Sequence, residues 1–164
     1  MTAAKPKKVS EANAAITLAR SAARLAAVQV LYQLEYGGGS AETAVDEFLS
    51  HRVGVDLDGD RFAAPDADLF RSLVRGASGR GAEIDALLKG SLTGQRDPAR
   101  LDGILRALLR VAAFELLARP EVPAKVAITE YIDVAHAFFT GPEPKLVNGV
   151  LDNLARFLRP AEFS

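Results

Sequence analysis

Apolar residues recur along this chain at spacings of three and four, the pattern of helices that hide one face. After Ser10, Leu18, Ala22, Leu25, Val28, Leu31 and Tyr32 form such a stripe to about Glu35, and Gly37-Gly38-Gly39 ends it. Ser40 offers an N-cap for a second helix carrying Ala44, Val45, Phe48 and Leu49. From Asp66 a third helix places Leu69, Phe70, Leu73, Val74 and Ala77 on one face, and Gly76, Gly79 and Gly81 are expected to break it from a fourth with Ile84, Leu87 and Leu88. Asp97-Pro98 is expected to open a helix running to about Ala118. Its Leu101, Ile104, Leu105, Leu108, Val111, Phe114 and Leu116 are apolar nearly all round, which predicts the central and most buried helix. Pro120 stops it, and Pro123 starts another through Ile128, Ile132 and Phe139. Gly141-Pro142 then leads into a last one with Val147, Val150, Leu151 and Leu154, closed by Pro160. The prediction is an all-α domain of about seven helices with no strand and no repeat.

Composition agrees with one globular domain: 164 residues, 49% hydrophobic and 25% charged. A chain of this size buries enough surface to fold without disulfides or a metal. The absence of cysteine excludes thiolate zinc sites, iron–sulfur clusters and a cysteine nucleophile, and it fits a reducing cytoplasm. No leader is visible, and no apolar run of membrane-spanning length is expected, so the protein is placed in the cytoplasm with no membrane partner.

Charge divides the chain more sharply than its net value of −1 suggests. Residues 1–30 sum to +4 through Lys5, Lys7, Lys8, Arg20 and Arg24 against Glu11, while residues 42–68 sum to −6. The basic end either meets a polyanion or is a solvated tail. The expected organisation is a flexible basic arm over residues 1–14 and a single domain over 15–160.

Candidate chemistry is sparse. Asp56-Leu57-Asp58-Gly59-Asp60 resembles the start of a calcium loop, but Arg61 stands at the turn position and Ala67 where a bidentate glutamate is required. The glycines of Gly76-Ala77-Ser78-Gly79-Arg80-Gly81 have the wrong order for a dinucleotide turn and follow no strand. His51 and His136 have no ligand-spaced companion, and no serine sits in a nucleophile elbow. No catalytic residue, metal site or cofactor is expected.

Three blocks, in order, carry a resemblance: Ala19-Arg20-Ser21-Ala22-Ala23-Arg24-Leu25-Ala26-Ala27-Val28-Gln29-Val30-Leu31-Tyr32; Leu109 to Leu116 followed by Val122 to Glu130; and Lys145-Leu146-Val147-Asn148-Gly149-Val150-Leu151-Asp152. Together they resemble the NusB family of bacterial transcription antitermination factors. The resemblance implies two packed helical subdomains that bind the boxA element of nascent ribosomal RNA transcripts. It also implies the ribosomal protein NusE as a partner and an indirect association with the elongating RNA polymerase, with no enzymatic activity. Related helical domains fused to cytosine-5 RNA methyltransferases need a cysteine and a cofactor-binding sheet, which this sequence lacks. The rival is a protein-binding adaptor or homodimer without specific RNA recognition.

Within that frame the expected RNA-binding residues are Lys5, Lys7, Lys8, Arg20, Arg24, Tyr32 and Lys145. Arg20 and Arg24 are four apart and are expected to share a helical face, where guanidinium groups take phosphate or stack on a base. Tyr32 either offers a stacking ring or joins the core with Leu25 and Leu31. Lys145, near a helix start, fits the helix dipole poorly and suits a ligand phosphate. Asn148 is expected to brace a neighbouring helix, with Gly149 allowing close backbone approach.

Overall fold

The computed structural model describes residues 4–52, 64–92 and 97–164, with residues 4–9 and 52 described through their helical backbone alone. Seven α-helices follow one another: α1 Ala4–Gly37, α2 Ala41–Arg52, α3 Ala67–Gly79, α4 Gly81–Ser91, α5 Gly103–Ala118, α6 Ala124–Phe138 and α7 Glu143–Leu158. No strand occurs among the described residues.

The helix ends follow local chemistry. Gly38 (φ 71°) and Gly39 (φ 91°) take the left-handed backbone that stops α1. Ser40 Oγ accepts from Thr43 N at 3.1 Å, and Asp66 Oδ1 accepts from Leu69 N at 3.0 Å, capping α2 and α3. The backbone N–H of Asp66 also donates to the Ala19 carbonyl at 2.9 Å, fastening the start of α3 to α1.

Two expectations about boundaries are corrected. Asp97-Pro98 opens only a 3-10 turn, Pro98–Arg100; Leu101 then turns extended, and Asp102 caps α5 by accepting from Ile104 N at 3.0 Å. Gly76 does not break α3. It lies inside that helix under the Phe114 ring of α5, where a Cβ atom would collide with the ring.

α5 is the axle of the molecule and packs on α1, α3, α4, α6 and α7. Leu108, Leu109, Val111, Ala112 and Ala113 have no exposed surface. One contiguous core joins both halves of the chain through this helix.

Arg159, just past α7, closes the fold. Its guanidinium donates to the carbonyls of Leu116 (2.9 Å), Glu115 (3.2 Å), Arg119 (2.9 Å) and Val122; of these, the Leu116 carbonyl belongs to the end of α5 and has no helical partner, because Pro120 stands where the donor would be.

Within α1, Ser10–Gly37 is long and apolar enough to cross a membrane by length and composition, contrary to the sequence expectation. Its packing accounts for the pattern: Ala23, Ala27 and Val28 are fully buried in the protein core, and Arg24 lies within the same stretch. The helix meets the body only from Ala19 onward. Residues 10–18 are exposed, including Ile16 at 52% and Leu18 at 59%.

Candidate nucleic-acid interface

Where α1 enters the body, α5 and α6 close over it. Ser21 Oγ donates to Glu130 Oε2 of α6 at 2.7 Å, while Arg20, one residue earlier, is exposed and has no ion pair among the described residues. One turn further on, the surroundings invert. Arg24 is 2% exposed; its Nε donates to Glu115 Oε1 at 2.9 Å and its Nη2 to Oε2 at 2.7 Å. Tyr131, fully buried on α6, donates its hydroxyl to Glu115 Oε1 at 2.7 Å, and Glu130 lies 3.7 Å from Arg24 Nη1.

The expectation that Arg24 shares a ligand-facing surface with Arg20 is therefore corrected. Its guanidinium is consumed by Glu115, because a carboxylate inside an apolar helix is tolerable only with a hydrogen-bonded cation. Burial opposes charge on Arg24, but the hydrogen bond and charge of Glu115 outweigh it and hold the guanidinium protonated more firmly than usual. Burial, then the Glu115 charge, pushes the Tyr131 phenol well above its ordinary 10.0. The signal for this triad was a lone glutamate in the otherwise apolar run 111–118 of α5.

Tyr32 takes the core alternative in part. It is half-buried against the core, and its ring packs on Tyr36 with centroids 4.8 Å apart and planes tilted by 51°. Arg20 and Tyr32 are separated by about 18 Å along α1, at 1.5 Å per residue. Lys145 is exposed and unpaired among the described residues on α7, a helix that packs on α4, α5 and α6. The side chains of Lys5, Lys7 and Lys8 lie outside the described residues, as does the acidic segment 53–63. The candidates are thus spread over the surface, and Arg20 and Lys145 remain free to meet a ligand. Lys89, Arg100 and Lys125 are likewise exposed without an ion pair among the described residues.

Asn148 is exposed and makes no side-chain hydrogen bond among the described residues, so it does not brace a neighbouring helix. Nothing approaches the Cα of Gly149, whose side is open. Asp152 pairs with Arg156 at 2.9 Å. Sequence reasoning also missed a largely apolar groove of about 450 Å³ between α4 and α7, lined by Leu87, Gly90, Asn153 and Phe157, with Phe157 73% exposed.

Comparison with known proteins bears directly on this arrangement. The NusB family profile matches residues 21–156. The transcription antitermination protein NusB of Maricaulis maris is 49% identical over 144 residues, covering 88% of this chain and 90% of its own. That of Rhizobium rhizogenes is 47% identical over 140 residues, covering 85% and 88%. The solved structure of T. maritima NusB superposes with a TM-score of 0.69 at 31% identity, covering 88% of this chain and 96% of that one. On fold, on family profile and on identity over most of its length, this chain belongs to the NusB family.

Proposed function

We propose that this protein acts in transcription antitermination by binding single-stranded boxA RNA together with NusE, as a binding protein in the cytoplasm and not as an enzyme. The observation that carries this reading is Arg20. It is an exposed guanidinium, unpaired among the described residues, on the helix that continues the cationic N-terminal segment, while the arginine one turn later is locked inside. Lys145 supplies a second free cation, and Lys5, Lys7 and Lys8 add long-range attraction without sequence preference. The acidic balance outside the first helix suits a basic ribosomal protein. The α4/α7 groove with exposed Phe157 is the apolar surface we assign to it.

Filter binding of boxA and a scrambled RNA over a salt series, with and without NusE, tests this. Preference for boxA is expected, and Arg20→Ala should flatten the log–log salt slope by about 0.7. Equal binding of both RNAs in every condition would leave the adaptor or homodimer reading, which the Phe157 groove favours.

A further inference from the structure

We propose that Tyr36, backed by Tyr32 and flanked by Arg100, forms a second subsite that stacks an unpaired nucleobase of single-stranded RNA where α1 meets α5. This rests on the reading that the ligand is RNA. Tyr36 is 65% exposed, yet it is not a loose side chain: Tyr32 packs on it with ring centroids 4.8 Å apart. Both rings also lie against the first residue of α5. Gly103 is buried there, and a Cβ atom would run into the Tyr36 hydroxyl and the edge of Tyr32. The glycine lets the aromatic pair rest on the helix, which fixes the ring in advance and leaves its outer side open.

The charged groups near the pair are engaged in pairs and caps, with one cation left over. Glu35, next to Tyr36, accepts from Arg106 Nε at 2.7 Å, and Arg106 also holds the carbonyls of Ala99 (3.2 Å) and Leu101 (3.0 Å). That bridge ties the backbone on either side of Arg100 to Glu35, the residue that precedes Tyr36. Asp97 and Asp102 are committed to capping Ala99 N and Ile104 N, both at 3.0 Å. Among the described charged groups here, Arg100 alone is exposed without a partner. An exposed aromatic face beside a free guanidinium is the combination that holds a splayed base and its phosphate. Tyr36 stands about 24 Å along α1 from Arg20, at 1.5 Å per residue, so a strand that engages both runs the length of the buried half of the helix.

The test uses the full chain and boxA RNA carrying 2-aminopurine at successive positions. Wild type and Tyr36→Phe should quench the fluorescence at one or two positions, and Tyr36→Ala should abolish that quenching and raise Kd about 5- to 100-fold. Gly103→Ala, which displaces the ring while keeping a helix-compatible backbone, should weaken binding in the same direction. An abasic oligomer should bind wild type and Tyr36→Ala equally, and Arg100→Ala should flatten the salt slope by about 0.7. Unchanged affinity and quenching in Tyr36→Ala would overturn the subsite, as would intact RNA binding combined with lost NusE binding, which would make Tyr36 a protein contact. If wild type prefers boxA but ignores Tyr36, the subsite fails and the proposed function stands. If quenching depends on Tyr36 but boxA and scrambled RNA bind alike, the subsite stands and boxA specificity fails.

Discussion

Arg24 and Glu115, 91 residues apart in the chain, meet inside the protein as a two-pronged pair with the Tyr131 hydroxyl completing the carboxylate's partners. This pair ties α1 to α5 and, through Tyr131, to α6. Replacing one member leaves the other charge buried, so Glu115→Gln or Arg24→Met should cost about 3–5 kcal/mol in denaturant unfolding. The double change Arg24→Met/Glu115→Leu should cost clearly less than the sum of the single changes. Any RNA-binding loss in Arg24→Ala should track loss of the fold.

Gly76 and Phe114 set a second test. With no room for a methyl group under the ring, Gly76→Ala should cost about 1–3 kcal/mol by forcing the ring aside, outweighing the gain in helix propensity of about 1 kcal/mol. Leu108→Ala, at a fully buried position of α5, should cost about 2–5 kcal/mol. Thermal melts of both variants check these values.

Stability should fall on the acid side. Hydrogen bonds from Arg75 to Glu42, from Arg80 to Glu83 and from Ala124 N to Glu162 hold these carboxyls below their ordinary 4.5. Groups lowered by folding stabilise above the unfolded value and lose that contribution as pH drops through the folded one. Unfolding free energy should decline below about pH 4.5, and Glu162→Gln should remove its share of the slope.

At high pH the sign reverses. Tyr131 is raised by burial and by Glu115, so its neutral form stabilises the fold fully below pH 10.0, and that contribution is lost as pH climbs toward the folded value. An ultraviolet titration should show Tyr131 ionising only together with unfolding.

Helix existence and the central place of α5 were legible because apolar spacing alone decides both. Leu108 and Val111 are buried as that spacing requires. The fate of Arg24 was not legible: a helical wheel gives the angle of a side chain, but not the point along α1 where α5 and α6 begin to cover it. Leu18 shows the same gap, being in the apolar stripe yet 59% exposed because the body starts beyond it. Tyr36 was overlooked for the converse reason, since its support comes from Gly103, far away in sequence.

The Arg159 guanidinium has a consequence for the birth of the protein. The Leu116 carbonyl in the last turn of α5, the helix around which everything else is arranged, is closed by a residue made after α7. A nascent chain that has already produced α1 to α6 still lacks that closure. Until Arg159 has been made, the Leu116 carbonyl lacks its guanidinium partner, so this closure of α5 waits on residue 159.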